Sequence, residues 1–303
     1  MVKHFVLKCG LFLLFLVVID KAFLPLRNSV PNRVSDPRVR ELLEGNIDAD
    51  ILIMGSSRGD ESIRNTELEE ATGKKVFNLS FHGTEVEFST FLLELFVDRN
   101  RLPETIVRVL DDPHELCKEE YIDFRFDLLY PLVKYAPVRK ELVKRGQKNW
   151  LLNALFVSHQ VNWQAFDFRQ PPAHNDTLLR YGTQVELNDK SLPKGEYVRD
   201  SSLNQSLELR EKVQAFKRFE AICHERDVNL VLALAPNYRE VTQGFMQRIK
   251  ELADPETHLF EFDRCLQAYA DSTCYNDPTH LNRKGAGLFT SELATCLNKL
   301  ERE

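Results

Sequence analysis

The stretch Asp50-Ile-Leu-Ile-Met-Gly-Ser-Ser-Arg-Gly59 decides the fold class of this chain. An apolar run over residues 50–54 stops abruptly at Gly55-Ser56-Ser57. Continuous hydrophobicity is typical of a parallel strand that is covered on both faces, and small residues let the backbone turn towards a helix. Ligands bind at the carboxyl ends of strands in open α/β sheets, so two adjacent serines at this edge are candidates for chemistry. A simple helix cap is the alternative interpretation of Ser56 and Ser57.

Other strand-like runs alternate with helical segments on both sides of a long central region. The strand-like runs cover residues 74–80, 105–110, 228–234 and 258–262, and the helical segments cover residues 63–72, 85–97, 207–226, 241–252 and 283–300. This alternation predicts an α/β fold with a parallel sheet and right-handed crossovers. Residues 113–204 interrupt it, which predicts a mostly helical insertion, with a hairpin as one interpretation of residues 181–200. The insertion is either a lid or partner surface or a simple packing extension.

The first 25 residues predict a membrane anchor. Lys3 and Lys8 precede an uninterrupted apolar run from Cys9 to Ile19, and no small-x-small cleavage site follows the run. The basic leading residues predict that this end is cytoplasmic and that the remaining chain is extracytoplasmic. The run is short for a spanning helix, which needs about 20 apolar residues. A buried N-terminal helix of the globular fold is therefore the alternative.

The predicted organisation has three parts: an anchor over residues 1–25, a polar, proline-containing stalk over residues 26–46 that includes a short helix over residues 37–43, and an α/β domain over residues 47–303. The 303 residues are 43% apolar and 28% charged, which is sufficient for a sizeable core. A formal net charge of -6 argues against nucleic acid, or an anionic membrane surface, as the partner. Cys265 and Cys274 could form a disulfide in an oxidising compartment, although isolated thiols are the default expectation.

The segment Asp277-Pro-Thr-His280 contains the other groups that serine chemistry requires. Acyl transfer at a serine needs a hydroxyl, an imidazole to accept its proton, and a carboxylate to orient the imidazole. In a turn that leads into a helix, the spacing lets Asp277 reach the ring of His280, and Pro278 stiffens the turn. The motif is weak alone and stronger together with the serines that follow the first strand.

Gly55-Ser56-Ser57, followed by Asp277-Pro-Thr-His-Leu-Asn282 and Lys284-Gly285, resembles the SGNH (GDSL-like) hydrolase superfamily. The resemblance implies a flavodoxin-like three-layer fold in which Ser57 is the nucleophile, His280 the base and Asp277 its orienting acid. Asn78-Leu-Ser-Phe-His-Gly83 resembles the second block of that family. It implies an oxyanion hole formed by the main-chain N–H groups of Ser57 and Gly83. The resemblance covers about residues 47–112 and 207–300.

The third block of the family, a G-x-N-D after the third strand, is absent, and Leu110-Asp-Asp-Pro-His-Glu115 stands in its place. The chain therefore looks more like the membrane-anchored, extracytoplasmic branch, which includes the D-alanylation protein of teichoic acid synthesis and the alginate O-acetylation proteins. That branch works beside a membrane-bound O-acyltransferase. The resemblance implies a serine acyltransferase or esterase, with acetyl as the expected group, that acts on an envelope or exported glycan. A non-catalytic glycan-binding or scaffold protein on the same fold is the alternative, favoured by the missing asparagine.

Four residues near these blocks are weaker candidates for substrate contacts: Arg58, Asn78, His82 and Asp111. Arg58 could bind an anionic group or form a salt bridge on the helix face. His82 could line the site or belong to a surface loop, and Asp111 could face a ligand or form a turn before the proline. The sequence has no Walker loop, no dinucleotide G-x-G-x-x-G and no zinc signature, so we expect neither a cofactor nor a metal.

Overall fold

The computed structural model describes residues 2–118, 120–166, 180–182, 191, 202–238, 242–300 and 302. The chain divides into two compact units. The first takes its residues from Met1–Leu43 and Arg125–His174, and the second from Glu44–Phe124 and Asn175–Glu303. The beginning of the chain and much of the predicted insertion therefore share one unit. The hairpin interpreted over residues 181–200 lies outside the described residues.

The helices and strands of the described residues are as follows. The strands are β1 (Ile51–Met54), β2 (Val76–Asn78), β3 (Thr105–Val109), β4 (Asn229–Leu234) and β5 (His258–Glu261). The helices are α1 (Val2–Lys21), α2 (Phe23–Ser29), α3 (Pro31–Val34), α4 (Pro37–Glu44), α5 (Ser57–Ser62), α6 (Asn65–Thr72), α7 (Val86–Arg99), α8 (Phe126–Leu129), α9 (Ala136–Lys144), α10 (Trp150–Leu155), α11 (Val157–Gln160), α12 (Arg210–Glu225), α13 (Phe245–Leu252) and α14 (Arg283–Leu300). Short 3-10 turns lie at Tyr130–Leu132, Trp163–Phe166, Gln205–Leu207, Gln267–Ala270 and Ser272–Cys274.

The second unit is built on a five-stranded sheet with the order β2-β1-β3-β4-β5, and every neighbouring pair is parallel. Ile51 lies opposite Val76 on one side and opposite Thr105 on the other. All four residues of β1 are almost completely buried, as a continuous apolar run requires when both faces of a sheet are covered. The prediction of an α/β fold with a parallel sheet is confirmed.

The direction of winding reverses at β1, because β2 lies on one side of it and β3, β4 and β5 follow on the other. Right-handed crossovers then place α5 and α6 on one face, and α7, α12 and α13 on the opposite face. The helix contacts agree, since α7 packs against α12 while α14 packs against α5 and α6. The carboxyl ends of β1 and β3 flank the crevice where such a sheet binds ligands.

The first unit is helical. Residues Val2–Ser29 form one helical segment of 28 residues, with a mean hydropathy of 2.2 in its most apolar window, and this window is wholly exposed. The segment is thus long and apolar enough to anchor the chain in a membrane. Helix α3 follows, and the predicted short helix over residues 37–43 is observed as α4, in which Val39 and Leu42 lie at helical spacing and are completely buried.

Candidate active site

Ser57 is the first residue of α5 and follows β1 through a very tight turn. A Cβ atom on Gly55 would lie 3.1 Å from the carbonyl oxygen of Val109, so this turn packs directly against β3. The hydroxyl of Ser56 accepts a hydrogen bond of 3.2 Å from the N–H of Arg58 and caps the helix. The two serines therefore differ in environment: Ser56 is buried in the cap, and Ser57 is partly exposed at the rim of the sheet.

Ser57, His280 and Asp277 form a continuous hydrogen-bonded relay. The Oγ of Ser57 lies 2.8 Å from the Nε2 of His280. On the other side of the ring, Nδ1 lies 2.8 Å from Oδ2 and 3.0 Å from Oδ1 of Asp277. A carboxylate only accepts hydrogen bonds, so the proton of the neutral ring resides on Nδ1, and Nε2 is left to accept from the Ser57 hydroxyl. The structure thus brings together all three residues that the resemblance implied.

The loop that carries Asp277 and His280 is held at both ends. The N–H of Tyr238, just beyond β4, donates to the carbonyl oxygen of Pro278 at 2.9 Å. The N–H of Asn276 donates to the carbonyl oxygen of His280 at 2.9 Å. The side-chain oxygen of Asn282 accepts from the N–H of Gly285 at 3.2 Å and so caps α14. The Asp277–Asn282 loop, which leads into α14, is therefore attached to the chain segment that follows β4.

Asp277 is ionised throughout the neutral range. Burial favours a higher pKa, but hydrogen bonds from His280 and Thr279 outweigh it and lower the pKa of Asp277 to about 2. Its Oδ1 accepts from the N–H groups of Thr279 and His280 at 2.9 and 3.0 Å. The main-chain N–H groups of the loop therefore orient the Asp277 carboxylate, in addition to its hydrogen bond with the imidazole ring.

Gly83 lies on the loop after β2, and this loop is hydrogen-bonded to the turn that precedes Ser57. The N–H of Phe81 donates to the carbonyl oxygen of Gly55 at 3.1 Å, and the hydroxyl of Thr84 lies 3.2 Å from the same oxygen. Gly83 has a φ of +66°, which favours glycine. Within the part of the chain that the structure describes, the N–H groups of Ser57 and Gly83 have no acceptor. Both remain available to a ligand.

Asn78 and Arg58, two of the weaker candidates for substrate contacts, are buried and form hydrogen bonds within the protein. Asn78 is completely buried, and its amide donates to the carbonyl oxygen of Gly59 and accepts from the N–H of Ser80, each at 2.9 Å. Arg58 is 4% exposed, and its guanidinium donates to the carbonyl oxygen of Ala235 and to the side chain of Asn237. These two side chains attach α5 to β2 and to the end of β4.

His82 lies at the rim of the site and is joined there by Glu61, a residue that the sequence reasoning missed. The Nε2 of His82 lies 3.1 Å from Asp60 and 3.5 Å from Glu61. Burial raises the pKa of Glu61, and its electrostatic neighbours include His280 and His82. The spacing of four residues between Ser57 and Glu61 was the available signal, because it places both on one face of a helix. Among the described residues, no group of three or more His, Cys, Asp or Glu side chains could hold a metal ion.

The turn after β3 carries two buried carboxylates at the place where the family that the sequence resembles has an asparagine. Asp111 is 7% exposed, and its carboxylate is the strongest electrostatic neighbour of the buried Arg58. Asp112 accepts from the N–H of Thr242 at 3.0 Å, and burial raises its pKa. Because neither residue carries an amide, this turn adds no side-chain donor to the oxyanion site.

Comparisons with known proteins do not assign the chain to a family. No protein-family model matches the sequence, and no curated protein matches it significantly. The resemblance to SGNH hydrolases thus stays a prediction supported by motifs and by the geometry of the relay.

Proposed function

We propose that this chain is a membrane-anchored, extracytoplasmic serine acyltransferase or esterase of the SGNH type. Its substrate would be an acylated, most simply an acetylated, hydroxyl of an envelope or exported glycan. The single observation that carries the proposal is the relay in which Ser57 Oγ, His280 and Asp277 are joined by two hydrogen bonds of 2.8 Å. The parallel sheet, with Ser57 at the carboxyl end of β1, gives the relay the position that this chemistry has in the family it resembles.

The geometry supports a two-step acyl transfer. Ser57 Oγ attacks the acyl carbonyl carbon while its proton passes to His280 Nε2, and Asp277 stabilises the resulting imidazolium. The N–H groups of Ser57 and Gly83 bind the negative oxygen of the tetrahedral intermediate. Its collapse breaks the bond to the leaving oxygen, which takes the proton from Nε2 and leaves an acyl group on Ser57. A sugar hydroxyl or water then gives its proton to Nε2 and attacks the acyl carbon. The bond from that carbon to Ser57 Oγ breaks, and Oγ takes the proton back from Nε2.

The N-terminal helix supports the membrane part of the proposal. Lys3 and Lys8 stand at the beginning of the apolar segment, so a spanning helix would keep this end in the cytoplasm. The relay would then face the extracytoplasmic side, where envelope and exported glycans are modified. A membrane-bound O-acyltransferase would be the donor partner, as in the branch that the sequence resembles.

A serine-directed fluorophosphonate and a small acetyl ester, used on the full chain in detergent, test the activity. We expect the probe to label the wild type and the ester to be hydrolysed, and Ser57→Ala to lose both. Ser56→Ala is the matched control: it loses a helix cap worth about 1 kcal/mol but keeps the labelled hydroxyl. Labelling that persists in Ser57→Ala and disappears in Ser56→Ala would exclude Ser57 as the nucleophile.

The alternative function, a non-catalytic glycan-binding protein on the same scaffold, has one specific observation in its favour. The turn after β3 supplies Asp111 and Asp112 in place of an amide donor, so the oxyanion site rests on main-chain N–H groups alone. A wild type that binds an acetylated glycan but shows no probe labelling and no ester hydrolysis would support this alternative.

A further inference from the structure

Helix α10 has an inverted distribution of polarity. In a water-soluble helix the apolar face is buried and the polar face is exposed. Here Asn153 is the buried residue, whereas Trp150 is 65% exposed and Leu155 is 57% exposed. The main-chain carbonyl oxygen of Asn153 accepts a hydrogen bond of 2.7 Å from the side-chain amide of Gln160, which attaches α10 to α11 with these apolar side chains facing outward. An exposed apolar face of this kind is typical of a surface that contacts an apolar partner or a membrane.

Exposed apolar side chains also occur in the chain that follows α10. We call the whole set the aromatic surface, and it comprises Trp150, Leu151, Leu152, Leu155, Phe156, Trp163 and Phe166. The turn that carries Trp163 and Phe166 packs against α2, while α10 packs against α11. All of these elements belong to the first unit, which also contains the N-terminal apolar helix.

The aromatic surface is attached to the end of that helix by buried polar contacts. The carboxylate of Asp20 accepts hydrogen bonds from the N–H groups of Val157 and Ser158, each at 2.9 Å, and from the Ser158 hydroxyl at 2.7 Å. Seven residues on, the guanidinium of Arg27 donates to the side-chain oxygen of Gln160 at 2.7 Å. Asp20 lies one residue before the end of α1, whose 20 residues extend about 30 Å, the thickness of a bilayer core. The contacts therefore hold α11 at the depth where α1 would leave the hydrocarbon.

The charges next to the surface are complementary to lipid headgroups. A groove of about 440 Å³ lies beside Trp150 and is lined by Arg139, Lys140 and Lys144, among others. Basic side chains beside exposed tryptophans are typical of segments that lie in the membrane interface. The formal net charge of -6 describes the whole chain and led us to expect no anionic membrane partner, but this local cluster has the opposite sign.

We propose that the aromatic surface lies in the interface of the same bilayer that takes α1, with the basic groove against anionic phospholipid headgroups. The first unit would thus be held by a spanning helix and by an interfacial face, instead of by a single flexible tether. This inference rests on the proposed membrane insertion of α1, but it uses neither the relay nor the acyl-transfer chemistry, so its test does not depend on enzymatic activity.

The tryptophans provide a direct test, because Trp150 and Trp163 are the two tryptophans of the chain and both belong to the aromatic surface. The full chain is reconstituted into vesicles of zwitterionic and anionic phospholipid that contain lipids brominated near the carbonyl end or near the methyl end of the acyl chain. We expect blue-shifted tryptophan emission and stronger quenching by bromine near the carbonyl end. The two single-tryptophan variants, Trp150→Phe and Trp163→Phe, should each show the blue shift and the stronger quenching near the carbonyl end.

Other outcomes contradict the proposal. Emission typical of water-exposed tryptophan, without quenching, would show a surface that faces water. Blue-shifted emission that bromine does not quench, and that fades as the protein is diluted in lipid, would show contact with a second copy of the chain. Stronger quenching near the methyl end would place the tryptophans in the bilayer core instead of the interface.

Two sets of variants separate the parts of the surface. The double variant Leu151→Gln, Leu155→Gln should lower the quenching about twofold or more, because polar side chains withdraw from the acyl region. Leu207→Gln is the matched control, since Leu207 is 61% exposed but belongs to the second unit. Lys140→Glu combined with Lys144→Glu should lower the quenching in anionic vesicles and leave it unchanged in zwitterionic ones. Equal quenching of all variants would overturn the proposal.

Discussion

The Nε2 atom of His280 lies 2.8 Å from the Oγ atom of Ser57, although 223 positions separate the two residues in the chain. Two separately anchored segments produce this contact. The Ser57 turn is packed against β3 at Gly55, and the loop with His280 is tied to the chain after β4 through the N–H of Tyr238. Each segment is rigid by itself, so substitutions that displace either one should lower activity without touching the reacting atoms.

Asp277→Asn should abolish most of the proposed activity with little change in the fold. The asparagine amide can donate to Nδ1 and stabilise the wrong ring tautomer, which would leave a proton on the Nε2 that faces Ser57. In serine hydrolases with the same arrangement, this change lowers kcat by a factor on the order of 10,000. The measurement is kcat for acetyl ester hydrolysis by the full chain in detergent.

Asp271→Asn is the control for that substitution. Asp271 accepts hydrogen bonds from the N–H and hydroxyl of Thr273, just as Asp277 accepts those of Thr279, but no histidine contacts are found for it among the described residues. We expect nearly wild-type kcat. An equal loss in both variants would mean that the loop conformation, and not the relay, explains the effect.

The carboxylate of Asp277 should also affect stability at low pH. Its pKa of about 2 lies below its ordinary value of 3.8, so the folded state binds a proton less readily than the unfolded state. The stabilisation is present above about pH 4 and disappears as the pH falls towards about 2. Urea unfolding should therefore show a constant difference between the wild type and Asp277→Asn from neutral pH to about 4, which shrinks below that. A difference independent of pH would contradict the assignment.

Glu61→Gln should move the acidic limb of the pH–rate profile to lower pH. Burial raises the pKa of Glu61, so this carboxyl group gains its charge closer to neutral pH than an exposed glutamate does. Once ionised, it is a negative charge close to the imidazole that has to accept the proton of Ser57. Removing the charge should therefore extend activity to more acidic conditions, measured as kcat/KM against pH. Glu67→Gln, on the partly exposed helix α6, should leave the limb unchanged.

The strands and the relay could be predicted because their signals are local. The run from Asp50 to Met54 is apolar at every position after the first, and the observed β1 begins within one residue of it. The contact between Asp277 and His280 could similarly be predicted from their spacing, since both residues lie in one turn. The observed α14 coincides with the predicted closing helix, because its N-terminal cap, Asn282, lies next to the helix in the sequence.

Long-range contacts explain what could not be predicted. The donors of Arg58 find acceptors at Ala235 and Asn237, and no pattern near Arg58 indicates that these oxygens will be there. The grouping of the apolar N-terminal helix with the insertion depends on Asp20 and Ser158, which are 138 positions apart. Asp20, which follows the apolar run, accepts hydrogen bonds from the first residues of α11, and nothing in the sequence around it indicates these partners.

Gly285→Ala should lower both stability and activity, whereas Gly287→Ala should not. A Cβ atom on Gly285 would meet the carbonyl oxygen of Cys274 well inside contact distance, so the loop that precedes His280 must move. Overpacking of this kind costs about 1–3 kcal/mol. A Cβ atom on Gly287, in the same helix, would meet nothing closer than 3.5 Å, and alanine should stabilise the helix by up to about 1 kcal/mol there. Thermal unfolding and ester hydrolysis of both variants measure this contrast.

The buried ion pair between Arg108 and Glu115 should be the most sensitive feature of the turn after β3. Glu115 is 1% exposed and accepts three hydrogen bonds from the Arg108 guanidinium, one of 2.9 Å and two of 3.1 Å. Glu115→Gln leaves a buried cation without its counter-charge, so it should lower the free energy of unfolding by about 3–5 kcal/mol. Asp98→Asn, which breaks the exposed pair with Arg226, should cost at most about 1 kcal/mol. Urea unfolding measures both, and similar losses in the two variants would show that burial does not determine the strength of the Arg108 pair.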